Sequence, residues 1–277
     1  MPYPKFNNLD VIWDLPEDCE EWNHVETTLA RLESHLVSLR FVDRFVLFIT
    51  SQAEKLEIAI DTPVVVYQIK DKVHEVPSYV NDVFLVFKNY VPFYPPSDKV
   101  RSVPLGCNKH ITSLDVQFIA DRNIDLFFMG SEDNREDFFT FAGKKSLLSM
   151  KALNVVIERS VEIQYNVYAQ NIAQTKIALC PGGISCDTFR IYEAMRAGCV
   201  VIVPRQVPAW FNHGWPLIEL DDWCELKPIA DSLLNNPKKL QEISDQTRAW
   251  WEEKCSEEAV ARYMARELSL NLMKNSL

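Results

Sequence analysis

Glycine is scarce in this chain: 7 of 277 residues, where average usage of about 7% would give roughly nineteen. Collagen-like and glycine-rich linker architectures are excluded, and each glycine that remains needs a reason. The 7 cysteines (Cys19, Cys107, Cys180, Cys186, Cys199, Cys224, Cys255) form no C-x-x-C pair and no finger spacing. This excludes a zinc ribbon or a disulfide framework and reads as reduced thiols in a cytoplasmic protein. Positive charge is in deficit, with 29 Lys and Arg against 39 Asp and Glu and a net charge of −10. The chain therefore has no electrostatic footprint for nucleic acid or an anionic membrane, and any anionic ligand must be held by a local site. No eighteen apolar residues run together, and MPYPKFNNLD has no basic region followed by an apolar one, so neither a signal peptide nor a transmembrane segment is expected.

What is present is an ordinary globular composition, 47% hydrophobic and 25% charged, long enough for one large α/β domain or two smaller ones. Trp22, Val25, Leu29, Leu32, Leu36 and Leu39 step by three and four, predicting one apolar stripe on a helix over about 20–40. Continuous apolar runs at 45–50, 63–69 and 82–90 read as strands buried on both faces of a parallel sheet. VIWDL is a possible earlier strand. Pro92, Pro95, Pro96 and Pro104 exclude a helix over that stretch and leave a long loop or a short strand. Strands at 124–130, 153–158, 176–180, 199–204 and 216–220 then alternate with helices over about 135–150, 162–174 and 187–197, and everything after 222 reads as helix. The expected fold class is α/β, two Rossmann-like domains with a helical C-terminus, divided at 1–110 and 111–277.

Three of the glycines, Gly182, Gly183 and Gly198, fall in one segment, KIALCPGGISCDTFRIYEAMRAGCVVIVP. The order is buried strand, glycine turn, N-cap candidates Ser185 and Asp187, helix, Gly198 as helix stop, strand. A helix N-terminus after such a turn suits a phosphate. Ile191, Ala194, Met195 and Gly198 form the packing face, while Arg190 and Glu193 share a neighbouring one. Arg190 is suited to a diphosphate and Glu193 to ribose hydroxyls; spacing alone equally allows a plain turn with a surface ion pair, because the dinucleotide fingerprint G-x-G-x-x-G is absent.

CPGGISCDTFRIYEAMRAGCVVIVP resembles the donor-site signature of exostosin-like glycosyltransferases with the two-domain GT-B fold, and VFKNYVPF, RSVPLGCNK, FFMGSEDNR and RAWWEEKCSEEAVARYM agree in order. The resemblance implies transfer of a sugar from a nucleotide-diphosphate donor held by the C-terminal domain to a glycan or other hydroxyl acceptor on a reduced N-terminal domain. It implies donor-site roles for Gly183, Asp187, Thr188, Arg190 and Glu193, with Gly182 in the same turn, and a diphosphate contact for Arg135. Arg135 and Arg190 are the candidates to stabilise the leaving group. No D-x-D triplet occurs, so a metal-independent reaction without cofactor is expected. Alternatives are a sugar-nucleotide epimerase on the same fold and a non-catalytic nucleotide- or glycan-binding domain.

Other residues carry weaker signals. Asp14, Glu17, Asp18, Glu20 and Glu21 follow the possible first strand, and one of them, with Asp14 named, is a candidate acceptor-side base, although acids also favour a helix N-terminus. His24 and His35 lie on one side of the first helix and read as partly buried. His213 is a turn residue or a donor contact. Cys180, Cys186 and Cys199 flank the donor turn without a suitably spaced histidine.

Overall fold

The computed structural model describes residues 3–15, 19, 21–36, 44–56, 61–69, 74–92, 97–108, 111, 117–143, 154–159 and 164–275. The chain divides into two compact units. The first comprises Met1–Lys109, Pro208–Phe211 and Lys254–Leu277; the second comprises His110–Val207 and Asn212–Glu253. The linear division at 110/111 does not carry the two later returns of the chain to the first unit.

In the first unit five parallel strands lie in sequential order: β1 (Asp10–Asp14), β2 (Val46–Thr50), β3 (Val64–Gln68), β4 (Leu85–Lys88) and β5 (Val100–Ser102). The run over 82–90 is thus shorter as a strand than its apolarity suggests, because a 3-10 turn at Ser78–Asp82 precedes it. The proline-rich stretch contributes the short strand β5. Helix α1 (Trp22–Leu36) buries Val25, Leu29, Leu32 and Leu36. They share one core with Leu47, Ile49, Val65, Leu85 and Phe87 of the sheet and with Val260, Met264 and Leu268 of the last helix, α7 (Glu257–Asn275). The opposite face of the sheet packs Phe48, Val64, Val66 and Val86 against Tyr79, Val80 and Val83.

The second unit holds β6 (Ile124–Gly130), β7 (Val155–Arg159), β8 (Thr175–Leu179), β9 (Val200–Pro204) and β10 (Ile218–Leu220), all parallel, in the order β10-β9-β8-β6-β7. Its helices are α2 (Glu136–Gly143), α3 (Tyr165–Ala173), α4 (Phe189–Arg196), α5 (Leu226–Leu234) and α6 (Pro237–Trp250). The part of the expected 135–150 helix beyond 143 lies outside the described residues. Gly198, at φ +64°, stops α4, with its N–H bonded to Met195 O and that of Cys199 to Ala194 O, a left-handed C-terminal cap that glycine adopts without strain. The helical C-terminal stretch is interrupted by one π-helical turn, Trp251–Cys255. All 7 cysteines are free, and among the described residues no helix is long and apolar enough to cross a membrane.

Candidate functional site

The second sheet reverses its order at β6: β7 lies on one side of it, and β8, β9 and β10 follow on the other. In open α/β sheets ligands bind outside the carboxyl ends of the strands at such a switch point. The segment leaving β6 there carries Arg135, and the segment leaving β8 carries the glycine turn and then α4 with Arg190.

Both guanidiniums are held at this edge. Arg135 donates through Nη1 to Ser131 O at 3.0 Å and Ser131 Oγ at 3.3 Å, and through Nε to Pro181 O at 3.4 Å. Arg190, in the first turn of α4, donates through Nε to Met129 O at 2.8 Å. Their Cζ atoms stand 5.8 and 5.5 Å from the centroid of one ring, Phe128. These partners are backbone oxygens, one hydroxyl and a π face, and among the described residues neither guanidinium lies in a salt bridge. Burial, with the neighbouring Arg190 charge adding to it and Asp133 opposing it, pulls the Arg135 pKa down to about 10. Two cations brought together, with Asp133 near one of them but no salt-bridged carboxylate among the described residues, make a site that gains by taking up an anion.

Two of the glycines at this edge, Gly130 and Gly183, are explained by the arginines. A methyl group added at Gly130 would stand 2.4 Å from Arg190 Nη2, and one at Gly183 would stand 2.7 Å from Arg135 Nη2. Each guanidinium lies against bare backbone. Because the clashing atom is the end of a flexible side chain, Gly130→Ala is expected to leave the unfolding temperature within a few degrees of wild type while displacing Arg190 and weakening nucleoside diphosphate binding about tenfold. Titration calorimetry with nucleoside diphosphates checks this, and unchanged affinity would show that the Arg190 position is not used.

The turn itself departs from the expected amide cradle. Gly183 N–H is bonded to Ser185 O at 2.8 Å and Asp187 N–H to Ser185 Oγ at 3.1 Å, so both amides are used within the turn. Thr188, not Ser185 or Asp187, is the N-cap of α4, and its side chain makes no capping bond. In the first turn of α4 the Ile191 N–H is bonded to Thr188 O at 3.1 Å, which leaves the Phe189 and Arg190 amides as the ones open to a phosphate.

Thr188 Oγ1 and Asp187 Oδ1 are buried polar atoms without a hydrogen-bond partner. Burial raises the Asp187 carboxyl to about 7, against the Tyr192 hydroxyl and the Thr188 backbone N–H, which favour its charge. A carboxyl raised from 3.8 to about 7 holds a proton in the folded chain that the unfolded chain has released, so its contribution is fully present below pH 3.8 and is lost as pH rises towards 7. Asp187→Asn is therefore expected to be more stable than wild type at pH 8, by on the order of 1 to 3 kcal/mol, and to lose that advantage at pH 4. Denaturant titrations at the two pH values check the sign.

Glu193 is not the exposed half of a surface ion pair: it is 4% exposed and is hydrogen-bonded to Tyr168 on α3, whose phenol is pushed well above its usual range by burial first and by the Glu193 charge second. Cys180, at the end of β8, is buried beside these groups, and burial pushes its thiol up. Phe128, Gly130 and Tyr168 were missed by sequence reasoning. FFMG followed by an arginine was the available signal for the first two, whereas Tyr168 had none.

The remaining candidates lie elsewhere. Asp14 is the exposed last residue of β1 in the first unit. Glu21 and His24 are buried there, His24 with Nδ1 3.5 Å from Glu257, and His35 is half-buried, 2.9 Å from Glu258. Glu17, Asp18 and Glu20 are outside the described residues. His213 is exposed in a turn.

Residues 127–253 match the RXYLT1 C-terminal domain family, a span containing every residue of the arginine site. Two solved structures share the architecture over most of both chains. An alpha-glucosyltransferase in complex with UDP and DNA containing an HMU base superposes with a TM-score of 0.54 at 9% identity, covering 86% of this chain and 84% of that one. HepE from Anabaena, in complex with UDP and glucose, superposes with a TM-score of 0.54 at 10% identity, covering 94% and 99%. The fold is that of the GT-B glycosyltransferases. The two parallel-sheet bodies and the helical C-terminus expected from the sequence are both present in it. No curated protein matches the chain by sequence.

Proposed function

We propose that this chain is a glycosyltransferase that moves a sugar from a UDP-sugar to a hydroxyl acceptor without a metal ion. The observation that carries the reading is the pair Arg135 and Arg190 over Phe128, at the switch point of the second sheet, without a salt-bridged carboxylate among the described residues. A departing diphosphate gains charge as the glycosidic bond breaks, and oriented guanidiniums stabilise that charge, the role a metal takes in other designs. In this reading Glu193, hydrogen-bonded to Tyr168, accepts from ribose hydroxyls, and Thr188 and Asp187 offer buried polar atoms at the same helix terminus. An Asp187 carboxyl near neutrality repels the donor less than an ionised one. The choice of UDP is supported by the two solved structures above, which hold that nucleotide.

The test is thermal unfolding against a panel of nucleoside diphosphates, followed by UDP release from UDP-sugars in EDTA. UDP at a hundred times its dissociation constant is expected to add about 2.7 kcal/mol of stability, and release is expected to persist in EDTA. Sugar-nucleotide interconversion without UDP release would instead make the protein an epimerase, and binding without either reaction a non-catalytic domain. Activity lost in EDTA and restored by magnesium or manganese would overturn the metal-independent mechanism.

A further inference from the structure

The glycine turn of the second unit has to hold its shape outside the sheet. Strands β8 and β9 are paired as far as Leu179 and Ile202, with Cys180 N–H bonded to Ile202 O at 2.9 Å. Beyond that bond the chain runs irregularly over 181–187 and enters α4 at its N-cap, Thr188. A segment without a ladder of its own depends on side chains or water for its backbone bonds. Ser185 ties Gly183 and Asp187 to itself, which sets the local curl of the turn but not its place on the sheet.

Its place is set by Gln206, two residues beyond the end of β9. Gln206 Nε2 donates to Pro204 O, in the last residue of β9, at 2.7 Å and to Cys186 O, in the turn, at 3.1 Å. Both partners are carbonyl oxygens, so only the amide nitrogen can lie between them, and the orientation of the side chain is fixed. The next residue, Val207, bonds through its N–H to the Cys186 thiol. Two consecutive residues thus grip Cys186 at its carbonyl and at its sulfur. Gln206 is 9% exposed, a depth at which an amide without partners would be costly. Cys186 stands two positions before Thr188 and three before Phe189. Its carbonyl is therefore the anchor nearest to the open Phe189 and Arg190 amides and to the unpartnered Asp187 Oδ1 and Thr188 Oγ1.

We propose that Gln206 is a positioning residue for the donor diphosphate: by holding Cys186 against the end of β9 it fixes the N-terminus of α4, an inference that rests on the glycosyl-transfer reading. Its action is indirect. Backbone amides stabilise a phosphate in so far as they are already aimed at it, and an untethered turn would have to be ordered on binding, at a cost in affinity. The effect is confined to one end of the ligand. Glu193 lies a turn further along α4 and is held by Tyr168 on α3, so the grip of Gln206 bears on the diphosphate and not on the nucleoside.

The experiment compares wild type with Gln206→Met, which keeps the length of the side chain and removes its donors. Calorimetry measures the binding of UDP and of uridine, and mass spectrometry follows the rate at which iodoacetamide labels Cys186. Pro204 and Cys186 are half-buried, so water takes over their carbonyls, and the unfolding temperature is expected to stay within a few degrees of wild type. UDP affinity is expected to fall about tenfold, the worth of one hydrogen bond, while uridine affinity stays within about twofold. Cys186, whose thiol is pushed up by burial, is expected to be labelled about tenfold faster once its carbonyl is released. Unchanged UDP affinity, or equal losses for UDP and uridine, overturn the positioning role. Gln206→Glu, which keeps the shape of the amide and sets an oxygen where the donor was, keeps the test open where Gln206→Met is poorly folded. Its Cys186 is expected to be labelled at the faster rate, and labelling at the wild-type rate overturns the grip. Wild-type protein that binds no UDP overturns the glycosyl-transfer reading and this inference with it, whereas UDP binding in wild type leaves the variants to decide the inference alone.

Discussion

Arg135→Ala and Arg190→Ala are each expected to lower UDP-sugar turnover about a hundredfold to a thousandfold at saturating donor, the usual cost of about 2.7 to 4 kcal/mol for losing one oriented donor at a developing charge. Turnover is expected to fall more than ground-state UDP affinity, because the contact strengthens as the diphosphate gains charge. Stability is expected to move the other way. Burial and the neighbouring Arg190 charge both disfavour the charged form of Arg135 in the folded chain, so removing Arg135 relieves a burial penalty and a repulsion, and the ligand-free Arg135→Ala variant is expected to unfold no earlier than wild type. Lysine is expected to rescue only partly, since it cannot present two parallel N–H groups. The double variant is expected to lose less than the two single losses multiplied, because the arginines act on one group. Rates at saturating donor, with unfolding curves in the absence of nucleotide, check all of these. A folded single variant that keeps more than about a third of wild-type turnover would remove that arginine from the mechanism.

Arg122→Ala is expected to produce the largest loss of stability in the second unit, about 3 to 5 kcal/mol. The side chain is 3% exposed. It donates to Gln117 O at 3.1 Å, Thr175 O at 2.7 Å, Ala197 O at 2.7 Å and Cys199 Sγ at 3.6 Å. It thereby ties the turn before β6 to the start of β8 and to the carboxyl end of α4, where a cation also opposes the helix dipole. Removing it strands several buried acceptors at once, each worth about 1 to 3 kcal/mol when left unmade. Lysine, a single point donor, is expected to recover less than half. Chemical denaturation of Arg122→Ala and Arg122→Lys measures this, and a loss below about 1 kcal/mol would show that water replaces the guanidinium at no cost.

Strands β2, β3, β6, β8 and β9 were legible because strands buried on both faces need uninterrupted apolar runs, and α1 because its stripe repeats at helical spacing. Arg190 and Arg135 were legible as charges beside a glycine turn and a strand end. The switch point was not, since it depends on the lateral order of strands, which hydrophobic period does not encode. Arg122 reads in ADRNID as a loop charge, and only the convergence of three segments makes it an interior residue. Lys88 and Gln68 close apolar runs and are buried as deeply as the valines before them, because the row of strand ends, not the single strand, sets their surroundings. The amides of the glycine turn were misjudged because Ser185 folds back on them, a local bond that spacing does not reveal.

The core shared by α1 and α7 has a consequence for the order in which the protein forms. Val25, Leu29, Leu32 and Leu36 of α1 are covered by Val260, Met264 and Leu268, more than two hundred positions later in the chain. At about 5 to 20 residues per second of synthesis, the α1 stripe waits roughly 10 to 50 seconds before the helix that covers it exists. Every segment of the second unit emerges within that interval. The second unit is thus free to fold while the first, although begun earlier, is still an open sheet with an uncovered apolar helix. During synthesis it is the first unit, begun before the second, that is exposed to chaperones and to aggregation.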